Sequence, residues 1–122
     1  MARIRSIKPE YWSDEKLGPE SPLVRLVFLG LIGQADDAGR LIDNVKMIDG
    51  MLFPYTDDTC GAALERLAEL GRILRYPDES GRRLVQVVGW DRHQKVKNPS
   101  VYVLPAPTPT HGTAYGDTTK EG

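Results

Sequence analysis

Seven cations stand where they can meet phosphate: Arg3 and Arg5 near the amino terminus, and Arg82, Arg83, Arg92, Lys95 and Lys97 late in the chain. Guanidinium and ammonium groups bind phosphate oxygens through charge-assisted hydrogen bonds whatever the base sequence. A second set, Asp58, Glu65 and Glu69, offers the opposite chemistry: carboxylates suited to a basic protein partner. Catalysis has less to work with. Asp36-Asp37 and Asp57-Asp58 are adjacent pairs with no His at ligand spacing and read as turn and cap residues. His93, His111 and Cys60 form no metal spacing, and glycine-rich phosphate loops and nucleophile elbows are absent. His93 reads as a polar surface residue and Cys60 as a small core residue. The expectation is a non-enzymatic protein with neither metal nor cofactor.

The net charge of −1 conceals a division along the chain. Residues 1–9 hold Arg3, Arg5 and Lys8 with no acid, and residues 10–71 hold five basic residues against twelve acidic ones. Residues 72–97 reverse this, with seven basic and three acidic. Only the arm and the late segment therefore carry a field that attracts phosphate, although solvated charge runs produce the same pattern. With 122 residues and nine prolines there is room for one small domain. A single cysteine, no apolar run near 18 residues and no signal-like start lead us to expect a soluble cytoplasmic protein without membrane contact.

These groups must be held by a few short elements. Residues 1–20 read as a basic arm and a short helical turn, with Pro9 in its first turn and Tyr11 and Trp12 as anchors. Ser21-Pro22 is a strong helix start, and the pattern to about Ala35 is apolar nearly all round, predicting a central buried helix. Gly39 allows a turn into a token strand at Leu41-Ile42. Asp43 or Asn44 caps a second helix that runs to about Phe53 and stops at Pro54. Thr56-Asp57-Asp58 is expected to cap a third helix over 57–70, with Gly71 closing it. Ile73–Tyr76 and Leu84–Val88 form a hairpin that can join Leu41-Ile42 in a three-stranded sheet.

The order of elements predicts an α+β fold, a winged helix-turn-helix over residues 21–104. A Pro/Thr/Gly-rich tail at 105–122 is too poor in apolar residues to order itself. In such a domain the third helix enters the major groove, yet here its outward positions include Asp58, Glu65, Arg66 and Glu69, which repel phosphate. The hairpin and the Arg92–Asn98 segment are the better phosphate candidates. Their alternative role is a hydrated, charged edge that blocks strand pairing with other sheets.

The runs Ile4–Lys16, Ser21–Leu31, Ala35–Leu41, Leu52–Tyr55 and Trp90–Val96 resemble the amino-terminal domain of bacteriophage and prophage replication-initiation proteins. That group is similar to DnaD-type primosomal proteins. The resemblance covers residues 3–105 and implies a winged-helix fold, phage origin, a bacterial host cell and a replication context. Such initiators continue into a further carboxy-terminal region, whereas this sequence ends in the Pro/Thr/Gly segment. Two partners follow as expectations. One is DNA, met by Arg3, Arg5, Arg82, Arg83, Arg92, Lys95 and Lys97. The other is a host replication or defence protein, such as a CRISPR complex, met by Asp58, Glu65 and Glu69. Oligomeric state is left open.

Overall fold

Ser21 and Pro22 open the first helix as their chemistry dictates. In the computed structural model, which describes residues 3–108, the Ser21 hydroxyl accepts from the Val24 N–H at 3.3 Å and Pro22 occupies the first turn. Helix α1 spans Pro22–Gln34 and buries Val24, Val27, Leu31 and Ile32 along one stripe. Leu26, on the other side, is 54% exposed, so the helix is central to the core without being surrounded by it. A short 3-10 helix, Pro9–Ser13, precedes it. There Tyr11 anchors as expected by donating its hydroxyl to the Arg25 carbonyl at 2.8 Å. Trp12 does not anchor: it lies largely in solvent, edge-on to Tyr11.

Strand β1 (Arg40–Ile42) follows, then α2 (Val45–Leu52), capped by the Asn44 side chain on the Met47 N–H. Helix α3 covers Gly61–Glu69, starting later than the predicted 57–70. The expected caps bond among themselves, Thr56 Oγ1 donating to Asp58 at 2.7 Å, while Asp49 of α2 accepts the Cys60 N–H at 2.7 Å. Negative charge at the start of α3 thus comes from a neighbouring helix. Leu64 and Leu67 of α3 are fully buried, worth about 1.5–3 kcal/mol each relative to exposure. The helix closes at Gly71 (φ +74), whose N–H reaches Ala68 while that of Arg72 reaches Leu67.

Strands β2 (Ile73–Pro77) and β3 (Arg83–Val87) form the hairpin, and the antiparallel sheet is ordered β1-β3-β2. Asp78 organises its loop by accepting from the Ser80 and Arg82 backbones. One sheet face carries Leu41 opposite Val85 and Ile73 opposite Val87, and these join the helices in the core. On the other face Tyr76 lies opposite Leu84, and both are buried. A strap crosses this face. The Tyr76 hydroxyl donates to the Pro105 carbonyl, and Arg40 to that of Leu104, each at 2.7 Å, while the Leu104 N–H donates to Asp36 at 2.8 Å. The disordered tail expected from 105 therefore does not begin there, because buried polar groups of the sheet bind these peptides. Residues 109–122, including His111, lie outside the described residues.

Candidate nucleic-acid interface

After β3, Gly89 (φ +74) turns the chain into a single helical turn, α4 (Trp90–His93), and then into an extended segment. A Cβ at Gly89 would fall 2.6 Å from Arg92 Nη2, so glycine is needed both for the turn and for the guanidinium folded over it. The amino-terminal arm runs antiparallel to this segment. Lys8 Nζ donates to the Arg92 carbonyl at 3.1 Å, and Arg3 touches the Lys97 carbonyl at 3.5 Å. Between them Gln94 bonds both backbone groups of Ser6, accepting its N–H at 3.0 Å and donating to its carbonyl at 2.8 Å.

The outward cations of this seam are Arg3, Lys8, Arg92, Lys95 and Lys97, spread over roughly 16 Å of extended chain. Lys8, Arg92, Lys95 and Lys97 have no ion-pair partner among the described residues. Lys8 was not in the predicted phosphate-binding set. Its position before Pro9 gave no hint that the arm would fold back beside Arg92, which depends on a contact 84 residues away in sequence.

Arg5 must be removed from the set. Its side chain is 4% exposed and donates to Asp37 Oδ1 and to the Ala35 carbonyl, both at 3.0 Å, with its guanidinium carbon 5.0 Å from the Trp90 ring centroid. This cation fastens the arm inward. Arg3 shares the same carboxylate at 3.2 Å and stays 43% exposed. Asp37 also accepts the Ser100 N–H at 2.8 Å. That bond, working against desolvation, and then the two guanidiniums hold its carboxyl below the usual range. Asp36 and Asp37 are thus buried clamps for both ends of the described chain. The reading of them as turn residues captures only the bonds that Asp36 accepts from the Ala38 and Arg40 N–H groups.

The hairpin cations lie elsewhere. Arg83 begins β3 and is exposed, but four strand residues, about 13 Å, and the turn at Val88-Gly89 separate it from Arg92. Arg82 is paired with Asp78 at 3.1 Å. Arg72 and Arg75 are bound to Asp14 and Asp43. The predicted seven-residue set is therefore divided into an internal strut, a hairpin end and a seam.

On α3, Glu65, Arg66 and Glu69 are exposed as predicted. Arg66 is committed, with a two-pronged bond to Glu20 at 2.9 Å and a contact to Glu69 at 3.1 Å. No free cation remains on that face among the described residues. Asp58 lies outside the helix, in the connection from α2. Cys60 is fully buried, and burial followed by the nearby Asp49 pushes its thiol up to about 12, an inert core group. Among the described residues no group of three or more His, Cys, Asp or Glu side chains is placed to hold a metal ion, and no helix is long and apolar enough to cross a membrane. Comparison with protein-family models, with curated proteins and with solved structures returned no match to this chain.

Proposed function

We propose that this chain is a winged helix-turn-helix protein that binds DNA through its phosphate backbone, in phage replication initiation or its control. The element order α1-β1-α2-α3-β2-β3, with β1 joining the hairpin through β3, supports the fold reading. The observation that carries the function is the seam: Lys8, Arg92, Lys95 and Lys97 aligned along two antiparallel segments without internal counter-charges among the described residues. Such a stripe binds phosphates and does not read bases. The acidic α3 face agrees, since it would repel the major groove. The replication context rests on the resemblance of Ile4–Lys16 and Trp90–Val96 alone.

The test is fluorescence anisotropy of labelled duplex and single-stranded DNA at several salt concentrations. Affinity should fall linearly with salt on logarithmic axes, with a slope that counts the phosphates neutralised. Absence of binding at low salt would end this reading. A second one is then favoured by a specific observation: Asp58 and Glu65 are exposed and without an ion-pair partner among the described residues, a surface complementary to a basic groove on a host protein. Charge reversal at Asp58, Glu65 and Glu69 should abolish that partnership and leave the fold intact.

A further inference from the structure

Directly beneath the seam lies a cavity of about 150 Å³ between the arm, α1 and α4. Its inner walls are apolar, formed by Tyr11, Phe28, Ile32, Val87 and Trp90, and its mouth is formed by exposed residues including Ile7, Lys8 and Arg92. Phosphate ligands on the seam and an aromatic-walled hollow behind it make a composite site for a molecule with an anionic edge and a flat, weakly polar body.

We infer that this cavity receives one unstacked base of a single-stranded nucleic acid whose phosphates lie on Lys8, Arg92 and Lys95. The inference rests on the backbone-binding reading above and narrows it from DNA in general to single strands. Four observations support it. Bases taken out of a stack are bound on aromatic and apolar side chains while cations follow the backbone, and both parts occur here within one pocket. Arg72, which lines the pocket, has a buried Nε–H with no acceptor among the described residues, a donor that a pyrimidine carbonyl satisfies once the partly exposed guanidinium shifts toward the cavity. The local field is positive, for His93 at the mouth is held below its ordinary pKa by burial and then by Lys8, Arg92 and Arg72. The acids of the pocket do not cancel this field: Asp14 is bound by Arg72 through both oxygens, at 2.6 and 2.8 Å, leaving Glu10 against Lys8 and Arg92. A base inside a duplex cannot reach such a pocket without being flipped, so the site selects single strands.

The experiment compares a labelled twelve-nucleotide thymidine strand with a strand of the same length made of abasic sites, which keeps the phosphates and lacks the bases. The full protein should bind the thymidine strand at least about tenfold more tightly, with equal salt slopes, and only that strand should quench tryptophan emission. Val88→Phe, which fills the pocket from its wall, should bring the two affinities together without changing the slope. Equal binding of both strands by the unaltered protein overturns the cavity assignment and leaves the seam intact. Binding of neither overturns the seam reading as well. Should Val88→Phe fail to fold, the two-strand comparison decides alone.

Discussion

Replacing Arg92, Lys95 and Lys97 together by Ala separates a binding seam from a hydrated edge. All three side chains are exposed and none has an ion-pair partner among the described residues, so their loss should leave the fold unchanged. Each neutralised phosphate contributes about 0.9 to the logarithmic salt slope for a duplex and about 0.7 for a single strand. The triple variant should therefore lower the slope by up to about 2.7 or about 2.1, respectively. Between 50 and 200 mM salt that is a drop in affinity smaller by about 40-fold for a duplex, or about 20-fold for a single strand. Lys46→Ala, removing an exposed cation on α2, serves as the control and should leave the slope unchanged. Arg82→Ala with Arg83→Ala should change it by at most about 0.9, because Asp78 already neutralises Arg82. Anisotropy titrations at four or more salt concentrations provide the slopes, and near-ultraviolet circular dichroism checks the fold. An unchanged slope in the folded triple variant would refute the seam, and an equal change in Lys46→Ala would show that only net charge matters.

Other outcomes follow from the internal bonds. Arg5→Ala breaks a buried pair and should cost about 3 kcal/mol in urea unfolding; a loss below about 1 kcal/mol would mean that the strut carries little. Gly39→Ala and Gly81→Ala both force a side chain onto a positive φ, but only at Gly39 does the new Cβ meet Trp90, at 2.6 Å. The first should cost about 2–5 kcal/mol and the second about 1 kcal/mol, and equal costs would exclude the clash with Trp90. Asp37 and Asp14 both titrate below the ordinary carboxylate range, so their stabilisation is complete above about pH 4 and is lost as pH falls through the folded values. Protection of the Ser6 amide from hydrogen exchange, relative to its intrinsic rate at each pH, should consequently fall in acid; unchanged protection would detach arm docking from these carboxylates.

The elements of the central fold were legible because their signals are local. Ser21-Pro22, Asn44, Pro54 and Gly71 mark helix ends by their own chemistry, and β-branched runs on either side of a polar loop mark the hairpin. The start of α3 was misplaced because its N-terminal N–H is satisfied by Asp49, a residue no local window connects with Cys60. The strap was missed for a similar reason: a proline-rich segment supplies few apolar residues, but its carbonyls accept from Arg40 and Tyr76, distant in sequence. Composition identified the cationic regions correctly and could not sort them. Arg5 and Lys8 are both basic arm residues, and only the folded register decides that one points at Asp37 and the other lies beside Arg92.

The two adjacent carboxylates of the α1–β1 turn have a mechanical consequence. Arg3 and Arg5 pull on Asp37 from one side of the chain, while Ser100 hangs from Asp37 and Leu104 from Asp36 on the other. Tension applied between residues 3 and 104 would load this turn together with Arg40 of β1, which also holds Leu104. The hydrogen bonds and ion pairs at a single dipeptide act as a clasp. Its opening would release Arg3, Arg5, Ser100 and the Leu104 N–H together, leaving the arm on Gln94 and the strap on Arg40 and Tyr76.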